Sequence, residues 1–427
     1  MRQVIWFAAV FLTLSVFLFA QVASVAGSSG DDWVVSRHDP SQTGFSTSAV
    51  PKSGVVQLWN YTLEADSLSG PESPVVVDGR VYVGSADYGL CCFETSDGTK
   101  VWSFETEFHI DSSPAVIEER VYVGSDDGYV YCLDASDGNL VWYTSVDVSV
   151  NSPVNFADGM VYVESKMGDL YCLDATDGTK LWNFSTGANS YKRSPAIFEG
   201  YVFVGNEEGD LFCLDAISGA HIWDVAVGDA VGSPAAVDGF VYFGSRDGNV
   251  YCLNALNGDK IWNYTTWYNT AGPAHGYEWG NTVSDPAIVY DYVYVGSSDF
   301  DVFCLDALTG EKIWNFSTNG IVHAPSVSGD CVFAGSYDGN IYCISASSGA
   351  EMWRGAAGVF SPVSISGSAG LPVIADGVVY VVGNGVLSAW GAPFDDSTFP
   401  LLELTVVIVT LTIVAATIVY VYFKRKS

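Results

Sequence analysis

The 427-residue chain is poor in positive charge: 17 Lys and Arg stand against 49 Asp and Glu, a formal net charge of −32. A surface so charged repels phosphate backbones, which excludes nucleic acid as a partner. Histidine is also scarce, at five residues, and none has zinc-ligand spacing. No serine stands in a nucleophile elbow, no Gly-rich phosphate loop opens a helix, and the Asp-rich turns do not match an EF-hand loop. No catalytic set and no metal-ligand set can be assembled from these residues. Only 15% of residues are charged, whereas 14% are aromatic and 44 are glycine. Few charges, many aromatics and many glycines suit an all-β protein rich in tight turns. The acidic surface is that of a soluble ectodomain.

The two ends lie outside the fold. Arg2 precedes an apolar run over residues 4–20, followed by the small residues Ala23, Ser24 and Ala26. That order reads as a secretory signal peptide, residues 1–26. Residues 404–423 carry no charge, and Lys424, Arg425 and Lys426 follow at once. Twenty helical residues span about 30 Å, the thickness of a hydrocarbon core. Positive charge stays cytoplasmic. The expectation is a C-terminal transmembrane anchor at 397–423, a cytoplasmic tail at 424–427, and a body at 31–396 on the extracellular side of the cell membrane.

That body is one unit repeated eight times. Val-Tyr-Val-Gly or a close variant recurs at residues 81–84, 121–124, 161–164, 202–205, 241–244, 293–296, 332–335 and 379–383. The usual spacing of about 40 residues is that of propeller blades. Ser-Pro pairs such as Ser113-Pro114 and Ser233-Pro234 open units, and turns such as Asp238-Gly239, Asp247-Gly248 and Asn257-Gly258 separate short apolar runs. These are hairpin turn residues, and four strands make one blade. Trp102, Trp142, Trp182, Trp223, Trp262, Trp314 and Trp353 recur once per unit. The eighth unit stops after three strands, and an orphan run carrying Trp59 precedes the first. Setting residues 57–63 beside the last unit completes eight four-stranded blades and leaves no open edge. A ring of seven with one unit outside is the alternative, and it leaves an unpaired strand and an incomplete blade.

Residues 304–314, Cys-Leu-Asp-Ala-Leu-Thr-Gly-Glu-Lys-Ile-Trp, resemble the tryptophan-docking motif of quinoprotein propellers, with Cys304 in the usual Ala place, Asp306, Thr309-Gly310 and Trp314. The motif recurs six more times, ending at each of the other blade tryptophans. Asp32-Trp33 and the run from Arg37 to Gly44 also look like the usual start of that family's secreted members. The resemblance to the pyrroloquinoline-quinone-like repeat family covers nearly all of residues 31–396. It implies that the blade tryptophans pack between neighbouring blades, and that non-enzymatic members act as binding or assembly platforms.

Seven of the nine cysteines, Cys132 and Cys172 among them, hold one equivalent place per blade, too far apart for disulfides. They read as small buried apolar residues. Cys91-Cys92 evokes the adjacent cysteines that ring the cofactor in some quinoprotein dehydrogenases, but neighbouring strand residues point to opposite faces. Pyrroloquinoline quinone with calcium is therefore the alternative cofactor assignment, and no cofactor the preferred one.

Function is expected where equivalent places differ, on the connections that enter each blade around the channel. They hold Glu72, His109, Asp111, Asn151, Tyr191, Lys192, Arg193, Asp229 and His323. The connection between blades 5 and 6 is the longest and contains Trp267, Tyr268, His275, Tyr277, Glu278 and Trp279, a mixture suited to recognition. Four sequons, at Asn60, Asn183, Asn263 and Asn315, directly follow a blade Trp and would be glycosylated on an exported chain. The preferred reading is a membrane-anchored extracellular propeller that binds or assembles a protein or glycan partner. A quinoprotein dehydrogenase and a structural cell-envelope component are the alternatives.

Overall fold

The structure, a computed structural model, describes residues 32–51, 53–63, 73–85, 89–146, 148–189, 192–266, 283–356, 371–383 and 385–393. Eight antiparallel sheets follow one another around a ring. In blade 1, Val75–Val77, Arg80–Ser85, Gly89–Glu94 and Lys100–Glu105 run from the innermost to the outermost strand. Blades 2 to 7 repeat this order, and the all-β, eight-bladed propeller is as the repeat count predicts. Each second strand is buried almost throughout, because both faces of a blade are covered by neighbouring blades. Among the described residues no helix is long and apolar enough to cross a membrane; residues 1–31 and 394–427, with the expected signal and anchor, lie outside them.

Closure follows the predicted scheme. Val56–Thr62 is the outermost strand of blade 8 and pairs antiparallel with Val386–Gly391, with Trp59 opposite Ala389. The strand from the start of the chain thereby locks the last blade, with Val378–Gly383 and Val373–Ala375 completing the sheet.

The tryptophans explain how blades register against each other. Trp142 donates its indole N–H to the Ala175 carbonyl of blade 3 at 3.0 Å, and its ring lies on the Gly178 turn, where a Cβ would come within 2.6 Å of it. Gly178 has φ +74°, so the turn needs glycine both for backbone and for space. The same bond joins Trp59 to Thr95, Trp102 to Ala135, Trp182 to Ala216, Trp223 to Ala255, Trp262 to Ala307 and Trp314 to Ala346. Trp353 departs from the pattern: its buried N–H has no partner. Blade 8 gave up its third-to-fourth turn to admit the N-terminal strand, so there is no turn carbonyl for Trp353 to reach.

Cys92, Cys132, Cys172, Cys213, Cys252, Cys304 and Cys343 are fully buried, each opposite its blade Trp. Burial pushes the thiols of Cys92, Cys132, Cys172, Cys213, Cys252 and Cys304 up to about 12.

One part of the architecture has no counterpart in the repeat pattern. The segment from Trp33 to Ser48 runs around the inner edge of the ring and bonds to all eight blades in order. Trp33 exchanges two backbone hydrogen bonds with Val76, at 2.7 and 3.0 Å. Val34 accepts from Val116, Pro40 from Ile197, Ser41 from Ala236, Thr43 from Ile288 and Gly44 from Val327, all at 2.7 to 2.9 Å. In blade 3 the task falls to a side chain: Asn155 Nδ2 donates to the Pro40 carbonyl at 2.9 Å, while its Oδ1 takes the Phe156 N–H at 2.7 Å. Phe45–Ser46 pairs in parallel with Ser326–Ser328 of blade 7, and Ser48 Oγ accepts the Gly377 N–H of blade 8 at 2.7 Å. The inner edges of a propeller expose backbone donors that must be satisfied; here one strap satisfies most of them.

Candidate functional site

The strap lies toward one end of the channel. Asp32 accepts the N–H of Asp78, Phe45 meets the Tyr290 ring edge-on at 5.9 Å, and Ser48 meets Gly377. Asp78, Tyr290 and Gly377 all sit in turns between first and second strands. The opposite end of the channel, its mouth, is where the connections enter each blade. From the strap, Arg37 rises toward that mouth, 2% exposed, and donates Nη2 to the Pro286 carbonyl and Nε to the Gln42 carbonyl. Burial pulls its pKa down while Asp285 and Asp39 pull it up. Asp285 itself accepts the Ser233 N–H at 2.8 Å. It stands before Pro286 where other blades carry Ser113, Ser194 and Ser233.

Around the mouth, several predicted residues converge. Lys192, in the connection into blade 4, reaches to 3.9 Å from Asp111, in the connection into blade 2. Asp111 is 6% exposed; burial raises its pKa, opposed by Lys192, His109 and Lys166. Neighbouring Arg193 pairs with Glu207, whose other oxygen takes Arg246 Nη1 at 2.6 Å. Lys166, Lys192, Arg193 and Arg246 thus bring four of the chain's 17 basic residues onto the mouth of blades 3 to 5. Asn151 is buried at the same rim, 8% exposed. Asp229 is exposed and accepts the Ala230 N–H at 2.7 Å. His109 contributes its carbonyl, which accepts from Asp126 at 3.0 Å.

His323 is not brought to this cluster. It lies in the connection into blade 7, its ring tilted at 44° against Tyr337 with centroids 4.7 Å apart, and burial drops its pKa to about 4. Glu72, Tyr191 and the loop holding Trp267, Tyr268, His275, Tyr277, Glu278 and Trp279 lie outside the described residues. Asn60, Asn183, Asn263 and Asn315 fall on outermost strands, one residue beyond the docking Trp. Four residues of the site were missed in the sequence: Glu207, Arg246, Lys166 and Arg37. The first three sit in second-to-third-strand turns, which the search for variable connections passed over. Glu164 had a legible signal: it is fully buried where six other blades have Gly84, Gly124, Gly205, Gly244, Gly296 and Gly335.

Four overlapping stretches, residues 22–109, 106–194, 166–319 and 298–396, match the repeat family described as outer membrane protein assembly factor BamB. The chain belongs to this family of pyrroloquinoline-quinone-like propeller repeats. Among solved structures it is similar to BamB from Moraxella catarrhalis, at 20% identity and TM-score 0.63, over 81% of this chain and 99% of that one. It is also similar to a europium-containing methanol dehydrogenase, at 13% identity and TM-score 0.68, over 84% of this chain and 98% of that one. A quinohemoprotein alcohol dehydrogenase from Pseudomonas putida HK5 matches at 14% identity and TM-score 0.68, over 87% of this chain and 82% of that one. At such identities the likeness shows the fold alone. No curated protein matches the chain in sequence.

The strap's Trp33, Arg37 and Gln42 are at most 2% exposed. Cys91 and Cys92 diverge: Cys92 packs with Trp102 and Val121 toward blade 2, and Cys91 against Phe93 and Tyr380 toward blade 8. No group of three His, Cys, Asp or Glu able to hold a metal occurs among the described residues.

Proposed function

We propose that this chain is an exported propeller, tethered to the cell membrane by residues 397–423 after loss of residues 1–26, that holds a protein partner on its connection face as a binding or assembly scaffold. The observation that carries this reading is the asymmetry of the channel. The strap fills one end, while the other presents fixed charges of both signs, Asp111–Lys192 and Arg193–Glu207–Arg246, on a rigid rim. Ion pairs held in place across neighbouring blades recognise a polar protein surface by charge and shape. The family match, whose description names an outer membrane protein assembly factor, supports a scaffold role. The segment 267–282 contains Trp267, Tyr268, Tyr277 and Trp279, residue types suited to anchoring a partner. Glycans at Asn60, Asn183, Asn263 and Asn315 would sit on the outer rim, away from this face.

The test is site-specific photo-crosslinking of the full chain in its native membrane. A crosslinker at Lys166 or Asn151 is expected to yield one reproducible protein adduct, lost in Arg193→Glu/Arg246→Glu and on deletion of 267–282. Absence of any adduct from the connection face would sink the reading. The second reading, a quinoprotein dehydrogenase, is favoured only by the fold shared with two such enzymes. Titration with pyrroloquinoline quinone and calcium, read by absorbance and dye-linked alcohol oxidation, separates the two: saturable binding with turnover would install the second.

A further inference from the structure

The face opposite the mouth carries its own departure from the repeat. The turn between third and fourth strands reads Ser96-Asp97-Gly98, Ser136-Asp137-Gly138 and Thr176-Asp177-Gly178 in blades 1 to 3. In blades 4 to 6 it reads Ile217-Ser218-Gly219, Leu256-Asn257-Gly258 and Leu308-Thr309-Gly310. Blade 7 returns to Ser347-Ser348-Gly349. Three consecutive blades thus exchange a small polar residue for a large aliphatic one and, at the next position, lose a carboxylate. The aliphatic side chains do not serve the fold: Ile217 is 74% exposed, and Leu256 and Leu308 are 61% exposed.

A second position on the same face changes in the same place. The first-to-second turn puts an acidic residue at positive φ in six blades: Asp78, Glu118, Asp158, Glu199, Asp238 and Asp376. Blade 6 has Tyr290 there instead, with φ +50° and 82% exposure. Positive φ is unfavourable for a bulky aromatic, and such strain is kept where a side chain is wanted for what it does. The result is an arc of exposed Ile217, Leu256, Leu308 and Tyr290, with Asp259, Asp291 and Glu311 exposed beside it.

We infer that this arc rests on the bilayer surface. The inference depends on the tether proposed above and gives the ring its orientation. Val386–Gly391 is the third strand of blade 8, with Tyr380 opposite Ala389 as Tyr242 is opposite Cys252 in blade 5. It therefore ends on the face where Asn249–Asn254 ends and turns through Leu256. The chain leaves the ring on the arc's own side. Ten residues separate Pro393 from the charge-free run at 404, a reach of at most roughly 40 Å. Aliphatic tips beside a Tyr at the headgroup level are what an interfacial contact uses. Lys260 and Lys312 stand beside the arc but follow Asp259 and Glu311, so the apolar tips rather than a change of charge carry the contact. The connection face is thereby turned away from the membrane, toward the partner.

The experiment uses the full chain in phosphatidylcholine nanodiscs, with Ile217→Cys, Leu256→Cys and Leu308→Cys labelled by an environment-sensitive thiol fluorophore. Ser96→Cys and Ser136→Cys, on the equivalent turns of blades 1 and 2, are the controls. Eight of the nine native cysteines are buried, and the unsubstituted chain gives the background from partly exposed Cys91. With nitroxide at the headgroup level, emission from 217, 256 and 308 is expected to fall below about half while 96 and 136 stay unchanged. Quenching at none of the five in chain that has entered the discs overturns the inference and leaves the arc as a protein-docking patch. Equal quenching at all five overturns it too, because the arc is then nothing special. Failure of the full chain to enter discs at all removes the tether itself, and the inference with it.

Discussion

Substituting phenylalanine for a docking tryptophan should cost stability at every blade except the seam. At Trp142 the replacement removes an indole N–H bonded to the Ala175 carbonyl at 3.0 Å, in a residue 9% exposed. A hydrogen bond of this kind contributes about 1 kcal/mol net, and the apolar area lost between Trp and Phe about another 1 kcal/mol. Trp142→Phe is therefore expected to lose about 2 kcal/mol. At Trp353 the N–H is buried and unpartnered, so the native residue already bears its desolvation cost. Removing it returns about 1–3 kcal/mol against the same loss of area, and Trp353→Phe should be neutral or slightly stabilising. Urea unfolding of the two variants, followed by far-ultraviolet circular dichroism with the slope held common, measures the difference. A loss at Trp353 equal to that at Trp142 would refute the account of the seam. Gly178→Ala is the companion control: its Cβ would meet the Trp142 ring at 2.6 Å at φ +74°, so it should cost more than Trp142→Phe.

His323 is held neutral by burial, with its pKa down near 4. The unfolded chain binds the proton more readily between about pH 4 and 6.5, so folded stability should fall as pH falls through that window, by at most about 3 kcal/mol; His323→Gln should flatten the slope in pH-dependent urea melts. Glu207→Gln leaves Arg193, with 7% side-chain exposure, as an uncompensated buried cation, at a cost of about 3 kcal/mol. Adding Arg193→Met should recover most of it in a double-mutant cycle. The buried cysteines should resist thiol reagents in the native state and react together on unfolding, and Cys132→Ala should cost only about 1 kcal/mol; rapid native labelling at Cys132 would contradict its packing.

The ring was legible because its determinants are local and repeated. Val-Tyr-Val-Gly, the Asp-Gly turns and the Trp spacing each report a strand or hairpin within a few residues, and eight copies multiply that signal. Closure was legible by difference, from one strand too few at the end and one too many at the start. The strap was not, because it bonds through its backbone. Val34, Ser41 and Thr43 offer carbonyls, and no side-chain period marks a carbonyl's partner. The ion-pair rim was half legible. Asp111, Lys192 and Arg193 were found as departures on the blade-entering connections, but Glu207 and Arg246 come from second-to-third-strand turns of blades 4 and 5, and the meeting of those two depends on the curvature of the ring.

The two closures solve different problems, and together they explain how the faces came to differ. The outer one, Trp59 and its strand in blade 8, joins the ends of the ring and leaves Trp353 unpartnered. The inner one satisfies backbone donors that no repeat could satisfy from within its own blade. Because the strap enters at Asp32 beside Asp78 and leaves at Ser48 beside Gly377, it occupies the turn face only. The connection face is left to side chains that differ from blade to blade. Acidic turns cover most of the other face, and the only run of them replaced by aliphatic residues is that of blades 4 to 6. A symmetric ring acquires a top and a bottom in this way, from sixteen residues that belong to no blade. Loosening the strap should therefore disturb partner capture and membrane orientation together, whereas changes to Arg246 should reach only the first and changes to Leu256 only the second.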